Sequence, residues 1–261
     1  MIKILCLGDV VSPAAVDFFE KDGLLRKYKD ENGIAFTVIN GENASENNGL
    51  AREEATRLLR AGADVITTGN HVWKNRDLRG LLDDSEAVLR PANYDPNLAG
   101  KGHTVINVSG LRFLVINILG VCFMEPLDNP FDKIDSILAS EEGNYDVSIL
   151  DIHAEATGEK CAIAGCFDGR INVIFGTHTH VQTADERILP KGSGYITDLG
   201  MCGPASGTLG MLSDRIIKRL RYHIPQKFEH SQGKIKATGA VFTLDERLRT
   251  VSVDRVVLKQ Q

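Results

Sequence analysis

Histidine is scarce in this chain, with seven residues in 261. Cysteine is sparse too: Cys6, Cys122, Cys161, Cys166 and Cys202 make an odd count of five with no C-x-x-C pair. Cys161 and Cys166 stand five apart, which fits neither a zinc ribbon nor a redox motif. Reduced and mostly buried thiols of a cytosolic protein are therefore expected. There is no excess of positive charge. The formal net charge is −5, which leaves no electrostatic footprint for duplex nucleic acid. No apolar run approaches the roughly 20 residues of a membrane span. The apolar start "MIKILCLGDVV" is interrupted at Asp9 and has no small-residue cleavage site after it, so it reads as a buried strand rather than a leader. Linkers, repeats and low-complexity stretches are also missing. One domain, 1–261, is expected, cytoplasmic and not membrane-bound.

What is present is an alternation of short β-rich runs with longer amphipathic ones. "IKILCLGD", "FTVINGEN" and "ADVITTGNH" read as strands. Between and after them, "PAAVDFFEKDGLLRKYKDEN" (with Gly23 as a candidate interruption), "REEATRLLRAG" and "NRDLRGLLDDS" have helical spacing. Such alternation argues for βαβ units and parallel pairing. The middle differs: "HTVINVSGLRFLVINILG" reads as a hairpin joined at Ser109-Gly110. A helix at "NPFDKIDSILASEEG" and strands at "YDVSILDIHAE" and "INVIFGTHTH" follow, and the tail is a second hairpin around Asp245-Glu246. Parallel and antiparallel pieces mix, so two mixed sheets packed face to face with helices outside are expected.

The informative residues lie where the strands stop. Five strand ends deliver Asp9, then Glu42-Asn43, then Asn70-His71, then His153, then His178 and His180. Functional groups gather at the carboxyl ends of strands in open α/β sheets. A single Asp after a strand is ordinarily a turn or cap residue, and a single His153 is ordinarily a hydrogen-bonded core histidine. Five strands ending this way together are poorly explained as turns. Carboxylates, carboxamides and imidazoles without thiolate favour Mn, Fe or Zn in a reactive site over a structural zinc. The donors exceed one tetrahedral shell, so two ions are expected. Two metals roughly 3.5–4 Å apart clamp the attacking and leaving oxygens of phosphoryl transfer, and Glu42 is the candidate bridge.

The ordered set Asp9, Glu42-Asn43, Gly69-Asn70-His71, His153 and Thr177-His178-Thr179-His180 resembles the calcineurin-like metallophosphoesterases. "NGEN", "GNHVW", "RPANY", "FMEPLDNPF", "DIHAEAT", "GTHTHVQTAD" and "YITDLGM" resemble the bacterial YmdB-type branch of that superfamily, over nearly the whole chain. The resemblance implies a four-layer α/β/β/α sandwich and a dinuclear centre of iron or manganese, with zinc also accepted by such ligands. It implies phosphodiesterase activity as well, with 2′,3′-cyclic nucleotides as substrates. By position it implies Asp9, Asn43 and His180 on one metal and Asn70, His153 and His178 on the other, with Glu42 bridging. His71 matches the family's catalytic histidine. An i, i+2 pair in a turn can aim one imidazole at each ion, whereas in a regular strand both would share a face. Two departures stand out. Val11 occupies the His position of the superfamily's usual Asp-x-His, where Asn43 is the candidate substitute. The loops "SPAAV" and "SENNGLA" differ from the branch's pattern, which bears on substrate preference.

The expected reaction is attack of a metal-activated hydroxide on a small phosphodiester or cyclic nucleotide, with His71 as general acid. Two divalent ions outweigh one Asp and one Glu, giving a cationic pocket on an acidic protein. Coordination lowers the pKa of water from about 15.7 to about 7, and a general acid adds roughly 10²–10⁴-fold. Asp151, Glu155 and Asp198 are candidates to orient an imidazole. Arg90 and Asn93 read as a structural loop, Trp73 as packing, and His103, His223 and His230 as surface or strand-end residues. Amidohydrolase barrels carry His-x-His on their first strand and metallo-β-lactamases want His-x-His-x-Asp-His, so both fit poorly. A metal-binding regulatory protein of the same fold, working through protein contacts, is the alternative. A homo-oligomer is compatible with either reading.

Overall fold

The computed structural model describes residues 1–259, apart from the side chain of Asp22; residues 260 and 261 of the expected domain lie outside the described residues. The first half runs β1 (Ile2–Leu7), β2 (Asp9–Val10), α1 (Pro13–Glu20), a 3-10 turn (Lys21–Gly23), α2 (Leu24–Asn32), β3 (Ile34–Asn40), α3 (Arg52–Ala61), β4 (Val65–Thr67), α4 (Leu78–Asp84), β5 (His103–Val108) and β6 (Leu111–Leu119). The second half runs α5 (Pro130–Ser140), β7 (Val147–His153), α6 (Thr157–Phe167), β8 (Val173–Thr177), β9 (Arg187–Ile188), β10 (Gly194–Ile196), β11 (Met201–Pro204), α7 (Ser213–Tyr222), β12 (Ile235–Leu244) and β13 (Thr250–Lys259).

These elements form the expected sandwich of two mixed sheets. The first sheet has the order β2-β11-β12-β1-β3-β4 with β13 added to β12, and the second has the order β5-β6-β7-β8-β10-β9. β1 and β3 are parallel, as are β6, β7 and β8, while both expected hairpins, β5-β6 and β12-β13, are antiparallel. The expected helix after Asp9 is broken at Gly23, whose φ of 66° is left-handed and starts α2 afresh.

Side-chain alternation sorts the core into three shells. In β1, Ile4 and Cys6 point between the sheets, beside Phe36 and Val38 of β3, and meet Phe113, Val115, Ile149 and Phe175 of the second sheet. Leu5 and Leu7 point the other way, onto Val16 and Phe19 of α1 and Leu58 of α3. On the far side of the second sheet, Leu114, Ile116, Leu150 and Ile152 pack under Ile134 and Ile137 of α5 and Ile163 and Phe167 of α6. Both faces of the central strands are therefore covered, which is why they read as nearly continuous apolar runs. The layers are α/β/β/α.

Three details depart from expectation. α6 and α7 are helices where the sequence pattern announces none, and α7 buries none of its residues. Of the five cysteines, Cys6 and Cys202 are buried but Cys122, Cys161 and Cys166 are exposed, so the thiols are free yet not mostly buried. The two α6 cysteines lie on its outward face, a side that counting cysteines does not reveal. No helix among the described residues is long and apolar enough to cross a membrane.

Candidate metal centre

The carboxyl ends of β1, β3, β4, β7 and β8 converge between the sheets and place the expected residues together. Asp9 is fully buried. Its Oδ2 accepts the backbone N–H of His178 at 3.0 Å, whereas Oδ1 has no hydrogen-bond partner among the described residues. That oxygen lies 3.6 Å from His180 Nε2 and 3.8 Å from His153 Nδ1. Burial pushes the Asp9 carboxyl up, but attraction to His180 and His153 outweighs it and holds the group well below the usual carboxylate range.

Glu42 follows β3 through Gly41, and its backbone N–H is fixed by Asn40 Oδ1 at 3.0 Å. Its carboxylate accepts the backbone N–H groups of Gly69 and His71 and is all but excluded from solvent. Its Oε1 stands 3.4 Å from His71 Nδ1 and 3.8 Å from His153 Nε2. Burial, reinforced by the charge on Asp9, raises this carboxyl well above its ordinary value. An isolated protein environment therefore disfavours the ion here, and a nearby cation would restore it.

Two groups of donors are distinguishable. In the first, Asn43 Nδ2 lies 3.3 Å from His180 Nε2, itself 3.6 Å from Asp9 Oδ1. In the second, His153 Nε2 lies 3.2 Å from Asn70 Oδ1 and 3.1 Å from His178 Nδ1. Asn43 is tied back to β2, with its N–H donating to Val10 O at 3.1 Å and Val11 bridging to it; Val11 itself is fully buried and points no donor at the site. His178 and His180 adopt φ of 102° and 65°, so the turn after β8 sends one imidazole to each group.

His71 lies against the first group and Glu42. Its Nδ1 is 2.9 Å from Asn43 Oδ1. Burial, with the charges of Lys74 and His178, lowers its pKa to about 4.

The outer contacts match expectation only in part. Asp151 accepts from Thr67 Oγ1 at 2.5 Å, Thr177 Oγ1 at 2.8 Å and Asn40 Nδ2 at 2.9 Å. Burial pushes its pKa up to about 7 despite those bonds. Thr177 Oγ1 in turn meets His153 Nδ1 at 2.9 Å, so Asp151 acts on that imidazole through a hydroxyl. Glu155, a candidate to orient an imidazole, touches His178 rather than the neighbouring His153, Oε2 to Nε2 at 3.1 Å. Asp198 makes no direct contact with an imidazole among the described residues; it binds Thr179 instead, through the N–H at 3.2 Å and Oγ1 at 2.8 Å. Asn40 and Thr67 escape a reading of the sequence, since nothing in either strand alone reveals a partner in the opposite sheet. Arg90 spends its guanidinium on the carbonyls of Ala99, Pro91 and Asp95, and Asn93 links Leu119 to Asp128, so both hold a loop. Trp73 packs edge-on against Tyr94, 5.5 Å between ring centroids.

Among the described residues, no group of three or more His, Cys, Asp and Glu side chains stands ready-made around an ion. Each donor group instead includes an asparagine amide, and its nitrogens face one another. The chemistry of the set nevertheless suits cations: a buried carboxylate oxygen without a donor, three imidazoles, two amides and no thiolate.

Residues 5–256 match the family of YmdB-like proteins. The chain belongs to that family. It is 42% identical to the 2′,3′-cyclic-nucleotide 2′-phosphodiesterase of Bacillus subtilis strain 168, over 98% of this chain and 97% of the other. Its fold superposes with a TM-score of 0.92 on a hypothetical protein from Thermus thermophilus, 36% identical and covered completely on both sides. With a novel phosphatase of Mycoplasma pneumoniae the TM-score is 0.90 at 32% identity, covering 99% of this chain and 93% of that one.

Proposed function

We propose that this YmdB-like chain is a dinuclear metal-dependent phosphodiesterase for small phosphodiesters, 2′,3′-cyclic nucleotides foremost. One observation carries the reading. Seven side chains from five strand ends split into two donor groups, and Asp9 Oδ1 is left between His180 and His153 with no hydrogen bond among the described residues. The substrate class is supported by the 42% identity to the B. subtilis cyclic-nucleotide enzyme over almost the whole chain. The same reading takes 1–261 as one domain working in the cytoplasm, as a monomer or homo-oligomer.

Asp9, Asn43 and His180 would hold one ion, Asn70, His153 and His178 the other, with Glu42 shared; iron or manganese suits these ligands, and zinc is accepted by them too. Two cations there supply a water of lowered pKa and neutralise phosphoryl charge on an otherwise acidic protein. The protein's own part lies with His71. With Nδ1 committed to Asn43 Oδ1 at 2.9 Å, Nε2 is the atom that can carry a proton to the leaving oxygen. Burial keeps the free imidazole neutral at pH 7. An anionic phosphodiester beside the ring favours its protonated form and so arms it as the acid. Asn43 then both steadies His71 and sits at the first donor group, coupling the acid's position to the ion's.

The test is hydrolysis of 2′,3′-cyclic AMP and bis-p-nitrophenyl phosphate by protein reconstituted with Mn²⁺ or Fe²⁺, beside His71→Ala. Turnover that falls by roughly 10²–10⁴-fold in the variant at unchanged metal content is expected. A wild type carrying two metals yet turning over neither substrate would overturn the reading in favour of a regulatory protein of this fold.

A further inference from the structure

The turn that carries the two histidines is strained. His178 and His180 both have positive φ, 102° and 65°. A non-glycine residue in such a conformation persists only where its surroundings over-determine it. The restraint on the residue between them is Asp198, which takes both the N–H and the hydroxyl of Thr179 on Oδ2 and the N–H of Gly200, 2.8 Å away, on Oδ1.

Behind Asp198 lies an ammonium. Lys160 Nζ is 2.7 Å from Asp198 Oδ2, and both side chains are 1% exposed. Lys160 comes from α6, a helix in the outermost layer, and its stem runs past Gly176 of β8. A Cβ on Gly176 would stand 2.8 Å from Lys160 Cδ and 2.0 Å from the carbonyl oxygen of Thr197, so the lysine reaches the turn only because that position has no side chain. A buried ion pair is a poor way to gain stability. Its desolvation offsets its Coulomb attraction, and well-packed apolar replacements are often neutral or better. The pair therefore has a use other than holding the layers together, and what it touches is the turn between the two donor groups.

We infer that Lys160 and Asp198 are positioning residues for the metal centre: Lys160 anchors the Asp198 carboxylate, and Asp198 clamps Thr179 so that His178 and His180 diverge toward separate ions. This rests on the dinuclear reading above. It goes beyond that reading because it puts part of the site's geometry in an outer helix whose residues touch neither ion nor substrate.

Three variants test it in metal-free protein, each read by calorimetric titration with Mn²⁺ and by thermal melting. Thr179→Val removes one donor to Asp198 and leaves the ion pair whole. Lys160→Met leaves a lone buried carboxylate and is expected to lower Tm. Lys160→Met combined with Asp198→Leu replaces the pair by apolar bulk and is expected to recover Tm. The expected result is a loss of Mn²⁺ affinity of roughly 10–100-fold in Thr179→Val and in the double variant, with metal-free Tm near the wild type. Mn²⁺ affinity within twofold of wild type in both would overturn the inference and leave the pair a packing feature. A wild type that binds no Mn²⁺ would instead overturn the dinuclear reading, and this inference with it.

Discussion

His178 Nδ1 lies 3.1 Å from His153 Nε2, the two rings set edge to face at 77° across adjacent parallel strands. Two neutral imidazoles can share one proton at that distance, but Asn70 Oδ1 also sits 3.2 Å from the same His153 nitrogen. Three donor atoms crowd one point, and a cation there would use all of them at once. Glu42 Oε1 stands 3.8 Å from that same nitrogen, and in the proposed centre it is the ligand that both ions would share. Glu42→Ala is therefore expected to lose both metals and all turnover, measured by elemental analysis and hydrolysis of bis-p-nitrophenyl phosphate. Circular dichroism must accompany it, because the N–H groups of Gly69 and His71 lose their acceptor. A folded Glu42→Ala protein retaining two metals would remove Glu42 from the bridge.

Gly69 is as constrained as any ligand. A Cβ there would stand 2.2 Å from Cδ2 and Nε2 of His153, so the imidazole must move or the loop must. Gly69→Ala is expected to weaken Mn²⁺ binding at least tenfold and to cost roughly 1–3 kcal/mol of stability. Gly158→Ala is the control. Nothing lies within 4 Å of a Cβ there, and the residue is in the first turn of α6. It is expected to leave metal binding alone and raise Tm slightly, since Ala is favoured over Gly in helices by up to about 1 kcal/mol.

The parts of this protein that are legible in its sequence are those where one strand carries its own signal. Short, nearly continuous apolar runs show the central strands, and polar residues at their ends show the candidate site. The two hairpins announce themselves at Ser109-Gly110 and at Asp245-Glu246. α6 does not. Its buried side includes Glu159, which accepts the N–H groups of Val121 and Cys122, and Lys160 at Asp198, so polar residues face inward and the amphipathic pattern cancels. The Asp151–Thr67–Asn40 cluster is hidden for another reason: its members come from both sheets, and only packing brings them within 3 Å. Asp198 is legible as a supporting carboxylate but not its partner, since Thr179 is a residue whose hydroxyl looks like ordinary turn chemistry.

Acid stability offers a test away from the site. Arg112 donates to Asp146 from its guanidinium, at 2.8 Å and 3.1 Å, and from its backbone N–H at 2.9 Å. These bonds lower the Asp146 pKa to about 2. A carboxyl depressed in the folded state stabilises fully above its unfolded pKa, about 3.9, and loses that contribution as pH falls toward the folded value. Asp146→Asn should therefore melt slightly below the wild type at pH 7, and the difference should shrink between about pH 4 and pH 2. Melting curves across that range decide it; a gap that widens in acid would contradict the assignment. Both partners are partly exposed, so the effect is small and falls further in high salt.

A pair of stacked rings ties the two sheets together away from the site. Phe36 of β3 and Phe113 of β6 stack with centroids 4.2 Å apart and planes 10° from parallel, both fully buried. Emptying one position leaves a cavity in the sandwich interior, which helices on the outside cannot collapse to fill. Phe113→Ala is expected to cost about 3–5 kcal/mol, a large part of the roughly 5–15 kcal/mol that holds a typical protein folded. Phe113→Leu should cost much less. The rings lie near the start of their strands, while the donor groups begin after the strands end; at about 3.3 Å per residue the separation along β3 is close to 20 Å. Below its melting point, Phe113→Leu should then bind Mn²⁺ as tightly as the wild type. Weaker binding by a folded Phe113→Leu protein would mean that the spacing of the sheets, and not only the loops at their edge, sets the distance between the two donor groups.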